Sequence, residues 1–67
     1  MPIPQPTDYD GYLVVVGDWR ISYVRKSRTR SYQLGIYAGP DTTEYDRLFA
    51  LKHARRAMLA AGHSVVV

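Results

Sequence analysis

Cysteine is absent from this chain, histidine occurs only as His53 and His63, and no apolar run approaches the length of a membrane span. Without cysteine there is neither a disulfide framework nor a thiolate-ligated zinc site. The two histidines do not have the i, i+4 spacing of a helical metal pair, so no metal site is expected. A membrane helix needs about 20 consecutive apolar residues, and a secretory leader needs a charged and then apolar start. With neither present, the sequence reads as a soluble, cytoplasmic protein without membrane association. It also lacks a phosphate-cradling glycine loop, a nucleophile elbow and a clustered pair of carboxylates. With 67 residues the chain has one small core and little room for a deep cleft. The expectation is a non-enzymatic protein with no catalytic residues, no cofactor and no small-molecule substrate.

The residues that are present describe an ordered domain. Hydrophobic residues make up 46% of the chain, too many for a disordered tail. The net charge of +3 is unevenly spread. Residues 19–40 contain Arg20, Arg25, Lys26, Arg28 and Arg30 and no acid, whereas all six acids lie outside that stretch. A modest total therefore conceals a concentrated basic segment.

Residues 1–10 hold prolines at positions 2, 4 and 6, which remove backbone donors and favour an extended, polyproline-like arm, mobile unless something docks it. Residues 11–67 form the single domain. Tyr12–Val16 and Trp19–Arg25 are β-branched and aromatic runs separated by Gly17-Asp18, a two-residue loop that suits a type II′ turn with glycine at positive φ. That turn sets Val16 opposite Trp19, Val14 opposite Ile21 and Tyr12 opposite Tyr23 on one side, the core side. Ser31–Ala38 continues as a third strand in which Tyr32, Leu34 and Ile36 alternate with Gln33, Gly35 and Tyr37. Its apolar set is expected to join the core, with Tyr32 opposite Tyr23 or shifted by two, and Gln33 and Tyr37 on the outer face.

A helix follows, starting with a capping box of Asp41 and Glu44 or with Thr43 and Asp46, running to about Ala61 and closing on Gly62. Its arc of Ala50, Leu51, Ala54, Ala57, Met58 and Ala61 suits close packing on a sheet. Tyr45, Leu48, Phe49 and Leu59 fall on a second arc shared with Lys52, Arg55 and Arg56. The valines at 65–67 add a short fourth strand, cover that second arc or build a homodimer contact. The fold class is α+β: a three-stranded antiparallel meander packed on one C-terminal helix.

The basic hairpin Arg25-Lys26-Ser27-Arg28-Thr29-Arg30, with Arg20, Ser22, Gln33 and Tyr37 on the adjoining outer face, carries the main functional signal. Guanidinium groups pair with phosphates or a guanine edge, and a β-ribbon fits the major groove of double-stranded DNA. Tyr37 is the stacking candidate, because the other aromatic strand residues sit at core parity. The same loop also fits a solvated tip whose charges blunt edge pairing. Lys52, Arg55 and Arg56 either flank the same footprint or complement the helix dipole. A second functional reading is a protein-interaction module that binds a partner through Leu48, Phe49, Leu59 and Val66. A third is a small metal-independent ribonuclease using a histidine as general acid or base.

Trp19 opening the strand Trp-Arg-Ile-Ser-Tyr-Val, the arginine-rich turn, and the helix stretch Leu51-Lys52-His53-Ala54-Arg55-Arg56-Ala57 together resemble the β-β-β-α arm-type DNA-binding domains of phage tyrosine integrases, which share the fold of the plant ethylene-response DNA-binding domain. The likeness covers about residues 12 to 62 and rests on element order and composition. In that family the sheet enters the major groove. The resemblance therefore implies base or phosphate contacts from Arg20, Ser22, Arg25, Arg28, Arg30 and Gln33, in a phage or mobile-element binder without a recombinase domain. The valine tail and the apolar second helix arc have no place in that pattern.

Overall fold

The computed structural model describes residues 2–8, 10–26 and 28–66. Strand β1 (Gln5–Pro6) is followed by β2 (Gly11–Val16), β3 (Trp19–Arg25), β4 (Ser31–Ala38), helix α1 (Glu44–Ala60) and β5 (Ser64–Val65). The strands make one curled sheet in the order β1-β2-β3-β4-β5, antiparallel except for the β4–β5 pair, which is parallel. The fold is α+β, with two more strands than the expected meander. One is the anticipated C-terminal strand. The other is part of the proline-rich arm: Gln5 and Pro6 pair with Leu13 and Tyr12, and Pro4 is buried. The arm is docked by that pairing and by Pro4; Pro2 and Pro4 line a shallow recess with Ala57, Ala60 and Ala61 at the C-terminal end of the helix, while Ile3 at its edge stays 78% exposed.

The β2–β3 hairpin has the expected register, Val16 opposite Trp19, Val14 opposite Ile21 and Tyr12 opposite Tyr23. Gly17 takes φ 57° while Asp18 stays at negative φ, as a type II′ turn requires. Helix α1 starts at the later of the two candidate caps. The Thr43 side chain accepts a hydrogen bond from the Asp46 backbone N–H at 3.2 Å, satisfying one of the unpaired donors of the first turn. Gly62 at φ 90° closes the other end, where His63 N–H donates to the Met58 carbonyl at 3.0 Å.

The core lies between α1 and the inner face of β2 and β3. Val14, Ile21 and Tyr23 are buried against Ala50, Ala54, Ala57 and Met58. Small alanine side chains let the helix approach the sheet closely, and Met58 fills the space they leave. Tyr23 is only 3% exposed, and burial raises its phenol pKa above 10.0, partly offset by the Arg55 charge. The folded state thus holds the Tyr23 proton more tightly than the unfolded chain. The resulting stability is fully present below pH 10 and is lost as pH rises through the folded pKa. Urea unfolding at increasing alkaline pH is expected to show a steeper loss for wild type than for Tyr23→Phe. Equal slopes would contradict this account.

Strand β4 departs from simple alternation. Tyr23 pairs with Leu34 but Ile21 pairs with Tyr37, so Gly35 and Ile36 together oppose Ser22 in a β-bulge. The bulge inverts parity beyond it. Ile36, expected inside, lies on the outer side and is 77% exposed. Tyr37, expected outside, turns to the helix side: its ring centroid is 6.3 Å from that of Trp19, and its hydroxyl accepts from Arg47 Nη1 at 2.9 Å. Leu34 keeps inner parity yet is 40% exposed, because α1 packs over β2, β3 and β5 rather than over β4.

Candidate nucleic-acid interface

One face of the sheet carries the core and α1; among the described residues, no element covers the other. The strand registers place Leu13 beside Gln5 and Ser22, Val15 beside Arg20, Arg20 beside Ala38, and Val24 beside Gln33 on that outer face. It is an apolar floor of Leu13, Val15, Val24 and Ile36 with the polar groups of Arg20, Ser22 and Gln33 set into it. Arg20 stands at one end of β3 and Lys26 just beyond the other. At about 3.3 Å per residue their backbones lie about 20 Å apart. The face is thus flanked by cations at both ends, with Ser22 and Gln33 between them.

The loop joining β3 and β4 is a closed turn. Lys26 N–H donates to the Ser31 carbonyl at 2.8 Å, and the Thr29 N–H and hydroxyl both donate to the Lys26 carbonyl, at 3.1 and 3.0 Å. Arg28 adopts φ 61°, a left-handed conformation unusual outside glycine, asparagine and aspartate. Lys26, Arg28 and Arg30 are exposed there. Ser27, within the basic hairpin, lies outside the described residues.

Arg25 does not join the outer face. It has the inner parity of Ile21 and Tyr23; its Nη1 pairs with Asp10 Oδ2 at 3.1 Å, and its Nε donates to the Thr29 carbonyl at 2.8 Å. The expected outer set therefore separates. Arg20, Ser22 and Gln33 share the face, Lys26 and Arg28 stand at its rim, and Arg25 turns with Arg30 toward a corner occupied by Tyr32, Gly62, His63 and Ser64. Tyr37 leaves the set altogether, held by Trp19 and by an Arg47 that also binds Glu44. That Glu44 hydrogen bond is the first cause raising the Arg47 pKa.

Little in the sequence marks the corner that gathers Arg25, Arg30, Tyr32, His63 and Ser64. The His63 ring lies 4.2 Å from that of Tyr12 and 5.4 Å from that of Tyr32, and the Tyr12 and Tyr32 rings are themselves 5.4 Å apart, edge to face. Loss of solvation raises the Tyr32 pKa first, followed by Tyr12 and Asp10, with Arg25 opposing. The available signal was the short β-branched tail; the parallel β4–β5 pairing delivers His63 to the tyrosines.

The second helix arc also separates. Leu48 and Leu59 join Tyr23, Leu34, Leu51, Val65 and Val66 around an apolar groove of about 780 Å³, bordered by Lys52, Arg55 and Arg56. Phe49 turns partly away, to a recess beside Val16, Trp19 and Pro40, and its ring lies 4.3 Å from that of His53. Val67 lies outside the described residues. Among the described residues no cluster of three or more potential metal ligands occurs, and no helix is long and apolar enough to cross a membrane. In comparisons with known proteins, no protein-family model, no curated protein and no solved structure matches this chain.

Proposed function

We propose that this protein is a non-enzymatic module that binds double-stranded DNA through the outer sheet face and the β3–β4 turn. The observation that carries the reading is the uncovered face itself, with Ser22 and Gln33 between Arg20 at one end and Lys26 and Arg28 at the other. A sheet presented this way enters a major groove about 12 Å wide, where hydroxyl and amide groups reach base edges and cations at both ends meet the flanking phosphates. The order β2-β3-β4-α1 within the chain resembles that of integrase arm-type domains and supports the same docking mode. Anisotropy titration of a labelled duplex with wild type and with the triple variant Arg20→Ala, Lys26→Ala, Arg28→Ala tests it. Equal binding by the two proteins, or none by wild type, would overturn the reading.

The groove favours a second function for the same chain, capture of an acidic, leucine-rich protein segment. Leu48, Leu59 and Val66 line it and three cations border it, so an apolar strip flanked by carboxylates matches both features. A homodimer built symmetrically on this groove would bring like-charged rims together. A peptide with leucines along one helix face and glutamates beside them is expected to bind, and its lysine counterpart to bind at least tenfold less tightly. Equal affinity for the two would remove this reading.

A further inference from the structure

The corner between β2, β4 and β5 has chemistry that the outer face lacks. A cavity of about 480 Å³ is lined by Arg25, Arg30, Tyr32, Gly62, His63 and Ser64, and every side chain in it carries a polar group. The two arginines come from opposite ends of the turn. Arg25 is already oriented: Asp10 holds Nη1 and the Thr29 carbonyl holds Nε, leaving Nη2 without a hydrogen bond to any described residue. Arg30 makes no hydrogen bond or ion pair with any described residue. Asp10 offsets one of the two positive charges, so the corner retains a cation.

The remaining groups are held in place by the fold. His63 is fixed by its N–H bond to the Met58 carbonyl and by the Tyr12 and Tyr32 rings. The Ser31 and Ser64 hydroxyls stand 3.4 Å apart, where parallel pairing brings β4 and β5 side by side. The Arg30 guanidinium, the remaining Nη2 of Arg25, an imidazole and a serine hydroxyl offer more donors than a carboxylate has acceptor positions, and they come from the end of β3, the turn and the segment that enters β5. That matches a tetrahedral oxyanion.

We propose that this corner, formed by Arg25, Arg30, Tyr32, His63 and Ser64, binds a phosphate group. It rests on the DNA-binding reading only for the source of that phosphate, which is either a nucleic-acid strand or a free anion.

Inorganic phosphate is titrated into the intact isotope-labelled protein at constant ionic strength, with chloride as the balancing anion, while the His63 and Tyr32 ring resonances are followed by NMR. Saturable shifts centred on Arg25, Arg30, Tyr32, His63 and Ser64 are expected, with affinity about tenfold weaker in Arg30→Gln, a loss typical of removing one charge-assisted contact. Absence of saturable shifts, or undiminished affinity in both Arg30→Gln and His63→Gln, would overturn the proposal. The same spectra with duplexes bearing 5′-phosphate or 5′-hydroxyl ends identify the source. Corner shifts with only the phosphorylated duplex assign a strand terminus, and shifts with both assign internal phosphodiesters. Phosphate binding without duplex binding retains the corner and removes the DNA reading, whereas duplex shifts confined to the outer face without phosphate binding do the reverse.

Discussion

Gly11→Ala is expected to cost this protein most of its stability. Gly11 is buried opposite Val24, and a β-carbon built on it would overlap the backbone carbonyl oxygen of Tyr23 and approach the Val24 Cα at 3.3 Å. No side-chain rotation relieves a clash with backbone, so β2 must separate from β3 at the strand pair that carries the core. Overpacking of this kind costs about 3 kcal/mol, most of the stability that a single core of this size provides. Thermal unfolding followed by circular dichroism should show the midpoint falling by on the order of 15 °C or the transition vanishing. Gly17→Asn is the matched control. Nothing lies within 4 Å of a β-carbon there, and φ is 57°, a conformation asparagine tolerates. A small change is expected for that variant, and similar losses from the two would contradict the close approach at Gly11.

The second large effect concerns binding. Arg20→Ala, Lys26→Ala and Arg28→Ala remove three exposed cations around the outer face while leaving Arg25, Arg30 and His63 in place. If each meets one phosphate, log K against log salt should become shallower by about 2.7, and affinity at physiological salt should fall on the order of 100-fold. The substitutions touch no core residue, so the unfolding midpoint is expected to stay near that of wild type. A weaker affinity with an unchanged salt slope would mean that these cations do not meet phosphates.

What the sequence made legible was local. The Gly17-Asp18 turn fixes the β2–β3 register through φ and strand parity, and the alanine arc of α1 identifies its buried face. Non-local consequences were not legible. Placing Gly35 and Ile36 opposite Ser22 costs one step of parity, and that single step moves Tyr37 from the proposed surface to Trp19 and Arg47 while exposing Ile36. Alternation alone cannot signal the change, because Leu-Gly-Ile-Tyr reads equally well in either phase. The corner around His63 depends on a tail returning parallel to β4 after a 17-residue helix, a long-range pairing with no local mark beyond the three valines at 65–67. The sequence neighbours of Arg25 point it to the outer set, whereas Asp10, fifteen positions earlier, decides where its guanidinium lies.

The central claim, that the open sheet face is the nucleic-acid surface, is tested most directly by mapping backbone and side-chain NMR shifts of the intact protein on addition of duplex DNA. The account predicts that the largest perturbations fall on Arg20, Ser22, Val24, Gln33 and Ile36 and on the turn at Lys26 and Arg28, with little change at Leu48, Lys52 or Leu59. Perturbations centred on α1 and the groove, with the outer face unmoved, would contradict it.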